Sequence, residues 1–348
     1  MSNNSTDDCQ ISDYAMDVRA RTYLATYYVI TPAYFLISAV GNVLILIAFR
    51  EQAKKEDAYV YQFLLTVSKT LEAGLFTAFV VMYKWLSNAE SEGEQWFVRN
   101  YALMWYTARL SIPLMNCFTT STLLLSFVMA ADRVVALAFP FKYKHLNHRV
   151  YQAAATVICF TLGISSNVFD CFRYTVIPLG DVYTIGVDEA YVAGRGALIL
   201  SQARMALRIL VLLGLIGLNV AMTLLFRRRA SKVSQMTVSD QKERARKEAD
   251  KTLLLLTVWQ SILTCVAIVP INCYYILAYI SPRFTECWGA VLVPFADLSF
   301  AVAESADFFA VLVINKKMRR IIRNAVRCNK TLVTEISMRG LSQVNSQR

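Results

Sequence analysis

The sequence predicts an all-α membrane protein, a seven-transmembrane helix bundle with a short amphipathic eighth helix. Three observations carry this. Hydrophobic residues make up 56% of the 348 and charged residues only 18%, with a mean hydropathy of +0.41. A soluble domain is about 45–50% apolar and about 25% charged, so too little charge is left here to coat a water-facing surface. Seven windows are long and apolar enough to cross the bilayer as helices, which takes roughly 20 residues each. Lysine and arginine are also lopsided: 25 of the 36 flank one side of these windows, 7 the other, and 4 lie within them. Cytoplasmic loops carry the excess, so the N-terminus is expected outside the plasma membrane and the C-terminus inside. The net charge of +11 is then mostly a topology signal.

The elements follow in order. Residues 1–26 form an expected extracellular N-terminus without the apolar run of a cleaved signal peptide, so the first span serves as the insertion signal. Asn3 and Asn4 each open a glycosylation sequon on that outer side. Residues 27–314 hold the spans: Tyr27–Phe49, Val60–Tyr83, Ala102–Ala131, Val150–Cys171, Leu198–Phe226, Thr252–Ile280 and Ala290–Ile314. Helices are expected because they satisfy their own backbone hydrogen bonds where no water is available. The inner loop at 227–251 alternates basic and acidic residues and is read as a solvated extension of the fifth and sixth helices near anionic lipid, with no role in nucleic-acid binding. Residues 315–327 place Met318, Ile321, Ile322 and Val326 on one helical side among arginines, the pattern of a membrane-surface helix. Cys328, which opens the cytoplasmic tail 328–348, is a candidate palmitoylation site. The sequon at Asn329 falls on the inner side and is read as chance.

At the inner end of the third span the chain reads Ala131-Asp132-Arg133-Val134, with Pro140 downstream; Gly41-Asn42-Val43 lies in the first span and Pro270 in the sixth. This resembles the Asp-Arg-Tyr motif and its setting in rhodopsin-like (class A) G protein-coupled receptors. The resemblance implies an extracellular ligand, a heterotrimeric G protein as partner, and an inner gate made of Asp132, Arg133 and Val134. Asp250, twenty residues before Pro270, takes the place from which an acid faces Arg133. A narrower resemblance, to invertebrate and nematode FMRFamide-type neuropeptide receptors, rests on Pro113-Leu114, Asn116, Asn167-Val168, Cys171-Phe172-Arg173-Tyr174 and Phe308. It implies a neuropeptide ligand, with an environmental chemosensory molecule as the alternative and a transporter as the competitor from another class.

The chain departs from the family pattern at several places. Lys69 stands where the family carries a sodium-binding aspartate. Ala267-Ile268-Val269-Pro270 replaces Cys-Trp-x-Pro, and Asp307-Phe308-Phe309-Ala310-Val311 replaces Asn-Pro-x-x-Tyr. Ala108 and Arg109 occupy the stretch where the family places a disulfide cysteine. The family's architecture implies that Lys69 points into the bundle at the level of Asn42, Thr122, Glu304 and Asp307, its ammonium standing in for the sodium ion.

Other chemistry is thin. His145 and His148 are the only histidines and lie in a basic loop without thiolate or carboxylate neighbours, so no metal site, cofactor or enzyme activity is expected. No lysine lies between Ala290 and Ile314 to hold retinal. Met115 sits at the third-span level where amine receptors carry an aspartate. Arg109, Arg204 and Arg208, with Tyr274 and Asp297, are candidate ligand contacts, because charges inside a span are functional suspects and arginine grips carboxylates in a fork. Arg204 and Arg208 lie one turn apart and repel unless an anion joins them. Cys9, Cys171, Cys273 and Cys287 lie on or near the oxidising side, with three complete pairings open. Cys117, Cys159 and Cys265 are read as packing residues.

Overall fold

The computed structural model describes residues 21, 31–54, 59–76, 83, 96–145, 148–234, 241–280 and 282–323. The glycosylation candidates Asn3 and Asn4, Cys9, and the palmitoylation candidate Cys328 lie outside them, as do the side chains of Asp250 and Cys287.

The spans are observed as helices Thr31–Ala53, Val60–Leu75, Tyr101–Ala138, His148–Asn167, Arg195–Ser234, Gln241–Ile280 and Pro282–Ile314. The stretches Leu36–Ala53, Tyr101–Ala138, His148–Arg173, Ile199–Arg228 and Lys251–Leu277 are long and apolar enough to cross a membrane. The described second-span helix is only 16 residues long and contains Lys69 and Glu72; the seventh contains Asp297, Glu304 and Asp307. These two helices therefore carry much of the bundle's buried charge. Large apolar side chains such as Leu36, Val40, Val157, Leu210 and Leu213 stay exposed around the outside, an apolar belt that only lipid can cover without a large penalty. The chain is thus a helical membrane bundle.

The third-span helix lies at the centre and touches the second, fourth, fifth and sixth. Its residues Leu123, Leu125 and Met129 meet Leu65, Cys159, Leu215 and Leu263 in the main core. The fourth helix approaches so closely that a Cβ on Gly163 would come within 2.9 Å of the Cys117 carbonyl oxygen, the small-residue contact that lets membrane helices pack backbone to backbone. Inside the spans, hydroxyls bond back one turn: Thr66 to the Gln62 carbonyl, Ser126 to Thr122 and Ser261 to Thr257. Each such bond hides a polar group from hydrocarbon without needing a partner helix.

Thr107–Ser111 within the third-span helix forms a π turn. Pro113 follows it. Proline has no N–H, so the Arg109 carbonyl loses its usual donor four residues on, and the widened turn absorbs the mismatch. After Asp170–Arg173, strands β1 (Tyr174–Leu179) and β2 (Val182–Val187) pair antiparallel, with Leu179 opposite Val182. Gly180 has φ 62° while no non-glycine residue among those described has positive φ. A two-residue turn with positive φ at its first position alone is type II′, which suits the twist of a hairpin. The hairpin packs on Phe97, Val98 and Met104 at the start of the third-span helix.

At the opposite end, Asn315 breaks the seventh helix and caps residues 316–323: its Oδ1 accepts from the backbone N–H of Lys317 at 3.1 Å and Met318 at 3.2 Å. Met318 and Ile322 are buried against Ile45, Phe49, Leu256 and Val311, so the apolar side of this short helix is spent on the bundle. The third-inner-loop stretch is helical at both ends, through Ser234 and from Gln241.

Candidate functional site

Four charged side chains meet in the middle of the bundle. Lys69 is 2% exposed. Its Nζ lies 3.0 Å from Asp307 Oδ2 and 3.3 Å from Glu304 Oε1, so the second and seventh helices are joined by a buried, two-acid clamp. Glu304 and Asp307 reach the same ammonium because three residues apart on a helix is one face. Asn42, buried on the first helix, donates to Ser38 Oγ at 3.3 Å. Thr122 does not touch Lys69; it pairs with Ser68 Oγ at 2.9 Å and donates to Glu72 Oε2 at 3.3 Å. Glu72 itself was not singled out from the sequence. Its signal was there: an acid one turn after Lys69 in an apolar window is as suspect as the lysine.

Toward the end that bears the Asp132-Arg133 motif, Arg133 Nη2 lies 3.2 Å from Asp132 Oδ2. Val134 is half-buried beside them. The same carboxylate oxygen accepts a hydrogen bond from Tyr143 Oη at 2.9 Å. Tyr143 belongs to the short helix Pro140–Lys144; Pro140 at its first turn is preorganised for that conformation, which brings the phenol back beneath the third helix. Burial, the largest influence, holds the Tyr143 phenol protonated well above its ordinary range, against the opposing pull of the Arg133 guanidinium. The phenol is therefore a donor to Asp132 throughout the physiological range. Tyr143→Phe is expected to remove the hydrogen bond that positions the Asp132 carboxylate against Arg133, a bond to a charged group worth about 1.5–3 kcal/mol at most. The expected outcome is basal G protein activation raised severalfold at equal surface expression. Unchanged basal activity returns Tyr143 to packing.

At the hairpin end a second ionic network crosses three helices. Arg204 pairs with Asp170 and donates to Asn167 Oδ1 at 3.2 Å. Asn116 Nδ2 reaches the same Asp170 at 3.3 Å. Arg208, 6% exposed, donates to Thr120 Oγ1 at 2.9 Å and to Asn167 Oδ1 at 3.4 Å. Asn167 in turn donates to Thr120 at 3.0 Å. Arg109 gives its Nη1 hydrogen bond to the Cys171 carbonyl at 2.9 Å. The anion that reconciles Arg204 with Arg208 is thus Asp170 of the chain itself, rather than a ligand. Cys171 and Cys273 are free thiols.

Between these two networks lies a cavity of about 220 Å³. Its walls come from the second, third, fifth, sixth and seventh helices and include Glu72, Asn116, Arg208, Tyr274, Asp297 and Phe300. Of the arginines proposed for ligand contact, Arg208 alone lines it; Arg109 and Arg204 stand outside. Tyr274 and Asp297 are in the wall. The site is therefore a partly open, mostly apolar cavity with two acids and one committed arginine, the composition of a small-molecule pocket.

Residues 35–176 match the family model described as "Serpentine type 7TM GPCR chemoreceptor Srsx". The matched stretch takes in the first four helices, the Asp132-Arg133 motif and Lys69. It supports a G protein-coupled receptor, a class of signalling proteins and not of enzymes. A search of the curated proteins found no match.

Proposed function

We propose that this chain is a plasma-membrane chemoreceptor that binds a small molecule in the cavity between Glu72 and Arg208 and signals through a heterotrimeric G protein. The observation that carries this reading is the cavity itself: about 220 Å³, walled by five helices, with charged and aromatic side chains in its lining. A chamber of that size suits a small molecule better than a folded-over peptide. The lysine and arginine bias sets the orientation, hairpin end outward and Arg133 end in the cytosol. There Asp132, Arg133 and Val134, with Asp250 on the sixth helix, form the face offered to the G protein. The likeness of residues 35–176 to serpentine chemoreceptors supports the chemosensory choice.

A neuropeptide ligand is the second reading. Ile177, Leu179 and Val187 expose apolar surface on the hairpin, where an extended peptide has room to lie. The deciding experiment is a G protein dissociation assay on cells expressing the full chain, with a library of small organic molecules set against a library of amidated peptides. Activation by small molecules, lost in Arg133→Ala at undiminished surface expression, is the expected result. Activation by peptides alone replaces the chemosensory reading with the neuropeptide one. Solute uptake without any G protein response points to a transporter.

A further inference from the structure

Glu72 is 1% exposed, yet it lines the cavity. Its two hydrogen bonds come from hydroxyls: Thr119 Oγ1 to Oε1 at 2.5 Å and Thr122 Oγ1 to Oε2 at 3.3 Å. Hydroxyls fix a carboxylate in place without cancelling its charge. Among the described residues no cation lies within ion-pair distance of it. The two nearest are already engaged. Lys69, one turn away, is held by Asp307 and Glu304 at 3.0 and 3.3 Å. Arg208, on the fifth helix, directs its N–H groups to Thr120, Asn167 and the Asn116 carbonyl. Around Lys69 the buried centre thus holds three carboxylates, those of Glu72, Glu304 and Asp307, against one lysine; Arg208 shares the cavity wall but is turned to Thr120, Asn167 and Asn116. A buried carboxylate without a cation beside it is costly, and a bound cation removes that cost.

We propose that the cavity takes a small organic ammonium compound, whose cation is received by Glu72. The assignment rests on the chemoreceptor reading above and names its ligand class. The other walls fit it. Phe76, Met115, Tyr274 and Phe300 provide an apolar body for the ligand's carbon skeleton, and aromatic faces attract cations. Asp297 adds a second acid to the wall. The third-span level at which amine receptors carry an aspartate is Met115 here, so the acid that receives the ammonium has moved to the second helix, next to the Lys69 clamp. A ligand bound there meets Glu72, which accepts from the Thr122 hydroxyl that also pairs with Ser68, so the pocket reaches the polar centre through that carboxylate.

The test uses purified full-length receptor and paired probes of matched shape: 2-phenylethylamine against 2-phenylethanol, and n-hexylamine against n-hexanol, with thermal unfolding as the readout. Each amine is expected to raise the unfolding temperature more than its alcohol. Glu72→Gln should weaken amine binding tenfold or more and leave the alcohols unchanged, while Glu72→Asp keeps part of the amine preference. If Glu72→Gln does not fold, the amine-to-alcohol contrast in the parent and in Glu72→Asp decides. Equal shifts for amine and alcohol, or an amine preference that survives Glu72→Gln, overturn the assignment. Such a failure in a receptor that still recruits G protein to a neutral or acidic ligand leaves the chemoreceptor reading intact. A Glu72-dependent amine shift in a chain that never recruits G protein keeps the cation site and removes the receptor reading instead.

Discussion

Lys69→Ala is expected to remove most of the receptor from the cell surface, and Asp307→Ala is expected to do the same. The ammonium is 2% exposed and its partners are nearly as deep. Losing one member of a buried ion pair leaves the other charged in hydrocarbon, which costs about 3–5 kcal/mol. That is a large part of the 5–15 kcal/mol, roughly, that holds a typical protein folded. The exchanged variant, Lys69→Asp with Asp307→Lys, restores opposite charges across the same 3.0 Å contact and should recover part of the lost expression. The proposed role of Lys69 is that of a resident cation. Agonist binding in the parent should therefore respond equally to sodium and potassium at matched ionic strength. Sodium-specific inhibition, or no recovery in the exchanged pair beside two harmful single changes, refutes that role.

The second large effect is expected at Asp170. This carboxylate pairs with Arg204 and accepts from Asn116, and both it and Arg208 are almost wholly buried. Asp170→Ala leaves two arginines one turn apart without an anion. The expected cost is again about 3–5 kcal/mol, read as loss of surface expression and of thermal stability in the purified protein. Because an ion pair replaced on both sides by apolar groups is often neutral, Asp170→Leu with Arg204→Met should restore expression. If Asp170→Ala is as well expressed as the parent, the network does not hold the third, fourth and fifth helices together. If the double variant is rescued but no longer responds to agonist, the network also serves activation.

Much of the bundle was legible in the sequence. Membrane insertion depends on the summed hydropathy of some twenty consecutive residues, and orientation on nearby basic charge; both are properties of local stretches. The third helix, for example, is announced by Ala102–Ala131 and runs from Tyr101 to Ala138. Lys69 declared itself because a lone lysine in an apolar window is expensive wherever its partner is found. The helix at 316–323 was visible in the spacing of Met318 and Ile322, though burial of that face against Ile45 and Val311 was not.

The acids beside Lys69 were anticipated through the family resemblance, but the partners of the three arginines were not legible. Arg109, Arg204 and Arg208 look alike as sequence, three cations in apolar helices. Only the packed bundle shows that Arg204 is satisfied by Asp170, that Arg109 is satisfied by the Cys171 carbonyl, and that Arg208 alone reaches the cavity. Glu72 and Tyr143 were passed over for the same reason: one bonds Thr119 and the other Asp132 across turns of chain that no periodicity connects. Hydropathy adds along the chain, so the sequence by itself determined that the chain is a helical membrane bundle and where its apolar helices fall. An ion pair or hydrogen bond requires two groups within about 3 Å and aligned, a condition set by helix rotation, crossing and close approach, and therefore decided only by the tertiary structure.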